Sequence, residues 1–434
     1  MADNTTMEKI VSLAKRRGFI FQGSEIYGGL AGTWDYGPLG VALKNNIKKL
    51  WWDTFVDGRS DMYGLDSAIL MNEKVWEVSG HTGAGFTDPL IECSKCKKRF
   101  REDHLEDTSK CPDAKCKGEL GEKRDSNLMF ETKVGAQGDT KSYLRPETAQ
   151  GIFVNFKNIL DTMRPKLPFG IAQIGKAFRN EIAPRDFIFR TREFEQMEIE
   201  YFVEESTWES EFEKWREQVL KWTDALGLSR ENIREYEVPA DELAHYSKRT
   251  IDFEYNYPGK GFDELLGLAY RTDHDLKSHQ EGSGEKMTFT PIEGVPFIPH
   301  VIEPSFGVER ALMAVLAEAY TEDEMNEDTR VFLKLKPELA PIKVAVFPLM
   351  KNKPDLVAKA REVFEELKET IPQIMFDDNG NVGKRYRRQD EIGTPYCITI
   401  DFDTLEDNTV TLRDRDTGEQ KRIALNALIE ALEL

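Results

Sequence analysis

No run of apolar residues in this chain approaches the roughly 18–20 needed for a membrane-spanning helix, so none is expected. The opening stretch, MADNTTMEKIVSLAKRRGF, has early acidic residues and no apolar h-region. A secretion signal is therefore not expected, and the cytosol is the default location. Positive charge is in short supply: 59 Lys and Arg face 78 Asp and Glu, a formal balance of −19. That excludes a broadly basic nucleic-acid coat protein. Local basic patches stay compatible with RNA contact, because exposed charges are screened within about 10 Å. There is neither a Rossmann glycine fingerprint nor a Walker P-loop, so any nucleotide must be held by other means. Internal repeats and low-complexity tracts are also missing. What is present is 40% hydrophobic residues over 434 positions, enough for two or three ordinary cores.

Cysteine is scarce, with five in the chain, yet four of them cluster as Cys93-x2-Cys96 and Cys111-x4-Cys116. In a cytosolic protein such pairs favour zinc over disulfides. The spacing resembles a zinc ribbon, with two more residues than usual in the second pair. Lys95, Lys97, Lys98 and Arg99 beside the first pair would lower the thiol pKa values. Zinc in a structural role is expected, with His104 as a substitute ligand if Cys116 is out of reach. Reduced, metal-free thiols on a loop remain the alternative. Cys397 sits alone in the strand-like PYCITI.

Periodicity organises the rest. A helix is expected over about 7–17, ending at Gly18, and a longer one after Gly37-Pro38 with Leu39, Leu43, Ile47, Leu50 and Trp51 at helical spacing. Residues 91–125 form a cysteine-bearing insert, and 204–260 a second insert whose stretch 207–225 is an amphipathic helix. FDELLGLAYRTDHDL (262–276) alternates as a strand, with Glu264, Leu266 and Leu268 sharing a face. HVIEPSFGVERALMAVLAEAY (300–320) is a strand broken at Pro304 and then a helix with its core stripe at Val308, Leu312, Val315, Leu316 and Ala319. Residues 331–341 form a linker. From 342 to 434 buried strands alternate with helices as a small α/β domain, TVTLRDRD being a strand with exposed charge.

Residues 178–202, FRNEIAPRDFIFRTREFEQMEIEYF, carry the chemistry. On the second strand Met197, Ile199, Tyr201 and Val203 fall on one face, and Phe194, Gln196, Glu198 and Glu200 on the other. Two glutamates behind an aromatic make a poor core. Guanidinium groups on rigid strands suit a polyphosphate, and carboxylates suit a cation. The rival is a solvated hairpin. Arg179, Glu181, Phe194 and Arg310 together could sandwich a purine between an aromatic face and a guanidinium plane while neutralising an α-phosphate under attack.

This constellation resembles motifs 2 and 3 of class II aminoacyl-tRNA synthetases, and the helix from Pro38 resembles motif 1. GSEIYGGLAGTWDYGPLG, LRPETAQGIF, AQIGKAFRNEIAPR, REFEQMEIEYF and HVIEPSFGVER are similar to the homodimeric glycyl-tRNA synthetase family. GKRYRRQDEIGTPYCITID and TVTLRDRDTGEQ resemble its anticodon-binding domain. The resemblance implies an α+β fold: an antiparallel-sheet catalytic domain with inserts at 1–330, then an α/β anticodon-binding domain at 342–434. It also implies a homodimer, with tRNA-Gly, glycine and ATP as partners.

By motif, the resemblance makes Arg179 and Arg310 the catalytic residues. It assigns ATP to Arg179, Asn180, Glu181, Phe189, Arg190, Thr191, Arg192, Phe194, Glu264, Leu265, Gly307 and Arg310. Within that set Glu181 would read the adenine amino group, and Phe194 and Arg310 would stack on adenine from opposite sides. Mg2+ would sit at Glu264 and Glu303. Glycine would fall among Arg101, Glu147, Glu198, Glu303 and Ser305. Carboxylates can hold its ammonium, and no smaller rival amino acid exists to demand an editing site. No protein nucleophile is needed. His81, His245, His274, His279 and His300 are read as structural or substrate-orienting. In the second domain Lys384, Arg385, Arg387, Arg388 and Arg413, with Tyr386, suit unpaired anticodon bases and their phosphates. The same run could be a solvated loop.

Two other functions are weighed. A synthetase-like nucleic-acid-binding accessory protein without charging activity should lose the ATP arginines first, and they are present. An adenylate-forming enzyme that ignores tRNA would not need the basic second domain.

Overall fold

The computed structural model describes residues 4–83, 86–102, 105, 107–113, 115–184, 186–325 and 328–432. A seven-stranded sheet dominates. Its strands are β1 (Met62–Gly64), β2 (Phe169–Phe178), β3 (Glu193–Val203), β4 (Ile233–Glu237), β5 (Arg249–Tyr257), β6 (Gly261–Thr272) and β7 (His300–Gly307). They lie in the order β4-β5-β6-β7-β3-β2-β1, antiparallel except for the short β1 beside β2. Among the described residues, six helices of ten residues or more surround it: α1 (Asn4–Arg16), α2 (Pro38–Trp52), α3 (Ala149–Met163), α4 (Trp208–Ala225), α5 (His274–Ser283) and α6 (Val308–Ala319).

The alternation on β3 sorts the two faces. Met197, Ile199, Tyr201 and Val203 enter the main core with residues of α2, α4 and α6. Trp51, Phe55, Trp222 and Phe306 pack ring against ring there, at centroid separations of 5.0–5.9 Å for neighbouring pairs to Phe306. On the opposite face α3 covers one end of the sheet, where Phe153 and Phe156 meet Phe169, Ile171, Phe202 and Val301. The other end of that face is uncovered and forms a pocket. α2 starts with Pro38 in its first turn, and Gly40 is required there because a Cβ would lie 1.9 Å from the Phe19 carbonyl oxygen.

Several expectations change. Residues 204–260 are built into the catalytic domain: α4 buries Phe212, Trp215, Val219 and Trp222 in the main core, and β4 and β5 extend the sheet. Residues 331–341 are no free linker. Strand Asp328–Leu333 pairs with Tyr320–Met325, and Leu333, Leu335, Leu339 and Ala340 are buried. β7 runs through Pro304, which faces Leu268 on β6. On β6 a bulge at Leu265 shifts the register, so that Leu266 opposes Phe253 while Glu264 opposes Glu254. An extra residue reverses side-chain parity. Glu264 therefore leaves the face of Leu266 and Leu268, and both Leu265 and Leu266 are buried.

The cysteine-bearing insert is a three-stranded antiparallel sheet, Thr87–Cys93 between Arg99–Arg101 and Leu120–Asn127. The C-terminal domain has five strands: β8 (Val344–Pro348), β9 (Ile374–Phe376), β10 (Tyr396–Ile400), β11 (Thr409–Asp414) and β12 (Gln420–Ala424), in the order β9-β8-β10-β11-β12. β8 is parallel to β9 and β10, and the rest is antiparallel. Helices α7 (Pro354–Thr370) and α8 (Val382–Ile392) accompany the sheet. Among the described residues, no helix is long and apolar enough to cross a membrane.

Candidate active site

The uncovered end of the sheet holds a cavity of about 390 Å³ bounded by β3, β5, β6, β7 and the loop between β2 and β3. At its open end Arg179 follows directly on β2. Its Nε donates to the Pro146 carbonyl at 3.1 Å, and its guanidinium lies 5.5 Å from the Phe194 ring centre and 5.6 Å from that of Phe86. The Arg179 amide donates to Arg192 at 2.9 Å and closes the loop at its neck. Glu181 is buried and accepts from Arg190 Nε at 2.7 Å. Across the cavity Arg310, in the first turn of α6, pairs with Glu264 at 2.8 Å and lies 4.5 Å from the Phe189 ring centre. The Arg310 charge holds the Glu264 carboxyl below its ordinary range, against the effect of burial. A buried cluster anchors α6: Lys44 of α2 meets Glu195 at 2.5 Å and Glu309 at 2.9 Å, and Glu309 accepts from the Glu195 amide at 2.9 Å.

The closed end is acidic. Glu198 accepts from Ser305 Oγ at 2.9 Å, from the Thr148 amide at 3.1 Å, and from Thr148 Oγ1. Arg271, 3% exposed, forks onto Asp275 with two 2.8 Å bonds and reaches Glu303 with a third. Its guanidinium also lies 3.8 Å from the Tyr246 ring centre. Glu147 meets His81 Nε2 at 3.2 Å and Gln150 Nε2 at 3.1 Å, and Gln150 in turn meets Asp275 and His279. Beneath the floor Glu200 is fully buried, and among the described residues neither carboxyl oxygen has a hydrogen-bond partner.

So many carboxyls in one low-dielectric space cannot all ionise easily. Burial, then the charges of Glu198 and Glu147, push Glu303 up to about 8 despite Arg271. Burial and the Glu147 charge raise Glu198. Burial, then Glu303, raises Glu200 well above the carboxylate range. Glu147 moves the other way: burial opposes its charge, but His81, Arg271 and Arg179 outweigh it. The site thus offers a fixed anion beside carboxyls that gain charge readily when a cation arrives.

The fold brings most sequence-selected residues to this cavity: Glu147, Arg179, Glu181, Phe189, Arg190, Thr191, Phe194, Glu198, Glu264, Leu265, Glu303, Ser305, Gly307 and Arg310 all line it. Others are placed differently. Arg192 turns away to the carbonyls of Glu181 and Ala31, and so shapes the loop rather than lining the cavity. Asn180 joins the loop to Leu128 through its amide. Arg101 belongs to the cysteine module, where it pairs with Asp88 at 2.7 Å. Both carboxylates drawn for Mg2+ meet an arginine through one oxygen, Glu303 with Arg271 and Glu264 with Arg310, and Glu264 is the one on the open side of the cavity. Sequence reasoning missed Arg271 and Asp275. Their i, i+4 spacing across the end of β6 was the available signal, hidden by the parity change at Leu265.

In the cysteine module the four Sγ atoms of Cys93, Cys96, Cys111 and Cys116 lie within 4.8 Å of one another. Cys93 to Cys116 and Cys96 to Cys111 are each 3.7 Å apart. Four thiolates around zinc at about 2.3 Å would stand roughly 3.8 Å apart, so the donor set fits a closed structural zinc site. His104 lies outside the described residues. Elemental analysis of the purified protein is expected to find about one zinc per chain, lost together with module stability in Cys111→Ser. A metal-free protein with an unchanged melting profile would contradict this.

In the second domain the basic run is helical, and helical spacing divides it. Lys384 and Arg387 are exposed and Arg388 is half-buried, Arg387 pairing with Asp328 and Arg388 with Asp377. Arg385 is 1% exposed and donates to the carbonyls of Pro348, Asp378 and Gly380. Arg413 is buried and forks onto Asp390 at 2.7 and 3.0 Å. Arg415 is buried as well. Arg385 and Arg413 therefore hold the domain together from within, and on TVTLRDRD both arginines are buried while Asp416 is exposed.

Comparison with known proteins agrees with this architecture. Residues 130–319 match the tRNA synthetase class II core domain (G, H, P, S and T), and residues 343–433 match the anticodon binding domain. The chain is 52% identical to a glycine–tRNA ligase from Caldanaerobacter subterraneus, over 100% of this chain and 99% of that protein. The chain belongs to the glycine–tRNA ligase family. Other members are similarly close: that of Alkaliphilus oremlandii is 52% identical over 99% of this chain and 98% of its own. That of Thermobifida fusca is 49% identical, with the same coverage. Family membership extends over both domains and the cysteine module, so the cavity belongs to the synthetase core.

Proposed function

We propose that this protein activates glycine with ATP and transfers it to the 3′ end of tRNA-Gly. The observation that carries the reading is the polarity of the cavity: Glu147, Glu198 and Glu303 at its closed end, and Arg179, Phe194 and Arg310 at its open end. Carboxylates suit the ammonium of an amino acid, and guanidinium and aromatic groups suit a nucleotide. Ser305 and Thr148 fix Glu198, so the ammonium is met by a positioned acceptor.

The glycine carboxylate oxygen attacks the α-phosphorus, the bond to pyrophosphate breaks, and glycyl-adenylate forms. A terminal ribose hydroxyl of the tRNA then attacks the carbonyl carbon and AMP leaves. Arg179 neutralises the charge that grows on the α-phosphate, and Phe194 with Arg310 orients the purine. Mg2+, with Glu264 as its protein ligand, would supply further charge neutralisation on the phosphates. Within the basic run, Lys384, Arg387 and Arg388 would meet the anticodon phosphates. We further infer a homodimer in the cytosol, paired through the region leading into α2, where Ile26, Tyr27, Leu30 and Val41 are exposed.

Glycine should drive exchange of labelled pyrophosphate into ATP, while alanine and serine leave it at background. Absence of exchange with glycine in folded protein would remove the enzyme reading in favour of an accessory RNA-binding role.

A further inference from the structure

We propose that Asp88 is a positioning residue for nucleotide binding, through which the root of the cysteine module holds Arg190 in place. The inference rests on the reading of the cavity as an ATP and glycine site.

The module joins the synthetase core through two roots, and both end on residues of the cavity. On the way in, the Phe86 ring lies under the Arg179 guanidinium and 4.8 Å from the His81 ring, which faces Glu147. On the way out, Asn127 Nδ2 donates to the His81 carbonyl at 2.9 Å, and the next carbonyl, Leu128, accepts the Asn180 amide at 2.8 Å. The root of the module thus touches the loop at Arg179 and Asn180 on one side, and on the other it touches His81, the partner of Glu147.

Asp88 brings charge to this junction. It is 7% exposed and sits on strand Thr87–Cys93, five residues before the first thiol of the cluster. Its Oδ2 accepts from Arg101 Nη1 at 2.7 Å and stands 3.5 Å from Arg190 Nη2. Arg190 is therefore held by two carboxylates: Glu181 of its own loop at Nε, and Asp88 of the module at Nη2. One contact alone leaves a guanidinium free to swing about that bond. Two contacts on different nitrogens fix its plane, and a fixed cation loses less entropy when a phosphate arrives. Arg101, drawn from the resemblance as a glycine ligand, acts here as the second arm on Asp88.

The effect should be specific to nucleotide. In Asp88→Asn the KM for ATP in glycine-dependent exchange should rise about tenfold, as for loss of one charge-assisted contact. The KM for glycine should stay within about twofold, because the acidic end is built from other residues. Asp88→Glu, which keeps the charge, should recover part of the ATP affinity. Calorimetry with an α,β-methylene ATP analogue should show the same ordering without turnover. Equal rises in both KM values, with a lower melting temperature in both variants, would make Asp88 a structural residue and overturn the proposal. An unchanged ATP affinity in Asp88→Asn would overturn it too. Wild-type exchange tests the function by itself, so the two failures are separable.

Discussion

Arg179→Ala is expected to lower the rate of glycine-dependent pyrophosphate exchange by about two to three orders of magnitude, the scale of removing one preorganised charge donor from a reacting oxyanion. The residue earns this weight from its place. It is the first residue past a ten-residue strand, its backbone is tied across the loop neck to Arg192, and its guanidinium is flanked by Phe86 and Phe194. Among the described residues, only its Nε makes a hydrogen bond to protein, at the Pro146 carbonyl. The loss of stability should be modest, since that single charge-assisted bond is worth about 1.5–3 kcal/mol. Arg179→Lys should fall between, because an ammonium keeps the charge but not the planar fork. Exchange kinetics beside a thermal melt decide the matter. An alanine variant within tenfold of wild type would show that another group neutralises the α-phosphate.

Arg271→Met should act through stability. The guanidinium is buried against Asp275, Glu303 and the Tyr246 ring, so its removal strands two carboxylates in a closed space. Breaking one side of a buried ion network costs about 3–5 kcal/mol. The pH dependence follows from the directions of the shifts. Despite burial, Arg271 holds Asp275 below its ordinary range, so in the wild type this group contributes stability above roughly pH 4, lost as pH falls. Without Arg271 burial pushes Asp275 upward, and the variant gains stability as the carboxyl protonates. The deficit measured by urea unfolding should therefore be larger at pH 8 than at pH 5. A deficit independent of pH would mean that lost packing, not stranded charge, is responsible.

The residues most legible in the sequence were those whose partner is local. On 193–203 a period of two separated Met197, Ile199, Tyr201 and Val203 from Gln196, Glu198 and Glu200, and the structure keeps that division. Cys93, Cys96, Cys111 and Cys116 declared a cluster by spacing, and their Sγ atoms converge. The stripe of α6, with Arg310 off it in the first turn, followed from a period of 3.6. Expectations failed where a non-local choice intervened. One extra residue at Leu265 moved Glu264 to another face, and tertiary contacts carried Arg385 and Arg413 inward while Lys384 and Arg387 stay exposed.

By itself, then, the sequence determined the strands, the helices, the thiol cluster and the family to which the chain belongs, because hydrophobic period and ligand spacing act over a few residues. Only the tertiary structure decided which charges meet. Arg271 finds Glu303 on a neighbouring strand, Glu147 finds His81, and Asp88 stands between Arg101 and Arg190. Such pairings depend on sheet register, on a bulge and on where an insert is rooted. A Coulomb interaction is set by distance in space, which separation along the chain does not report.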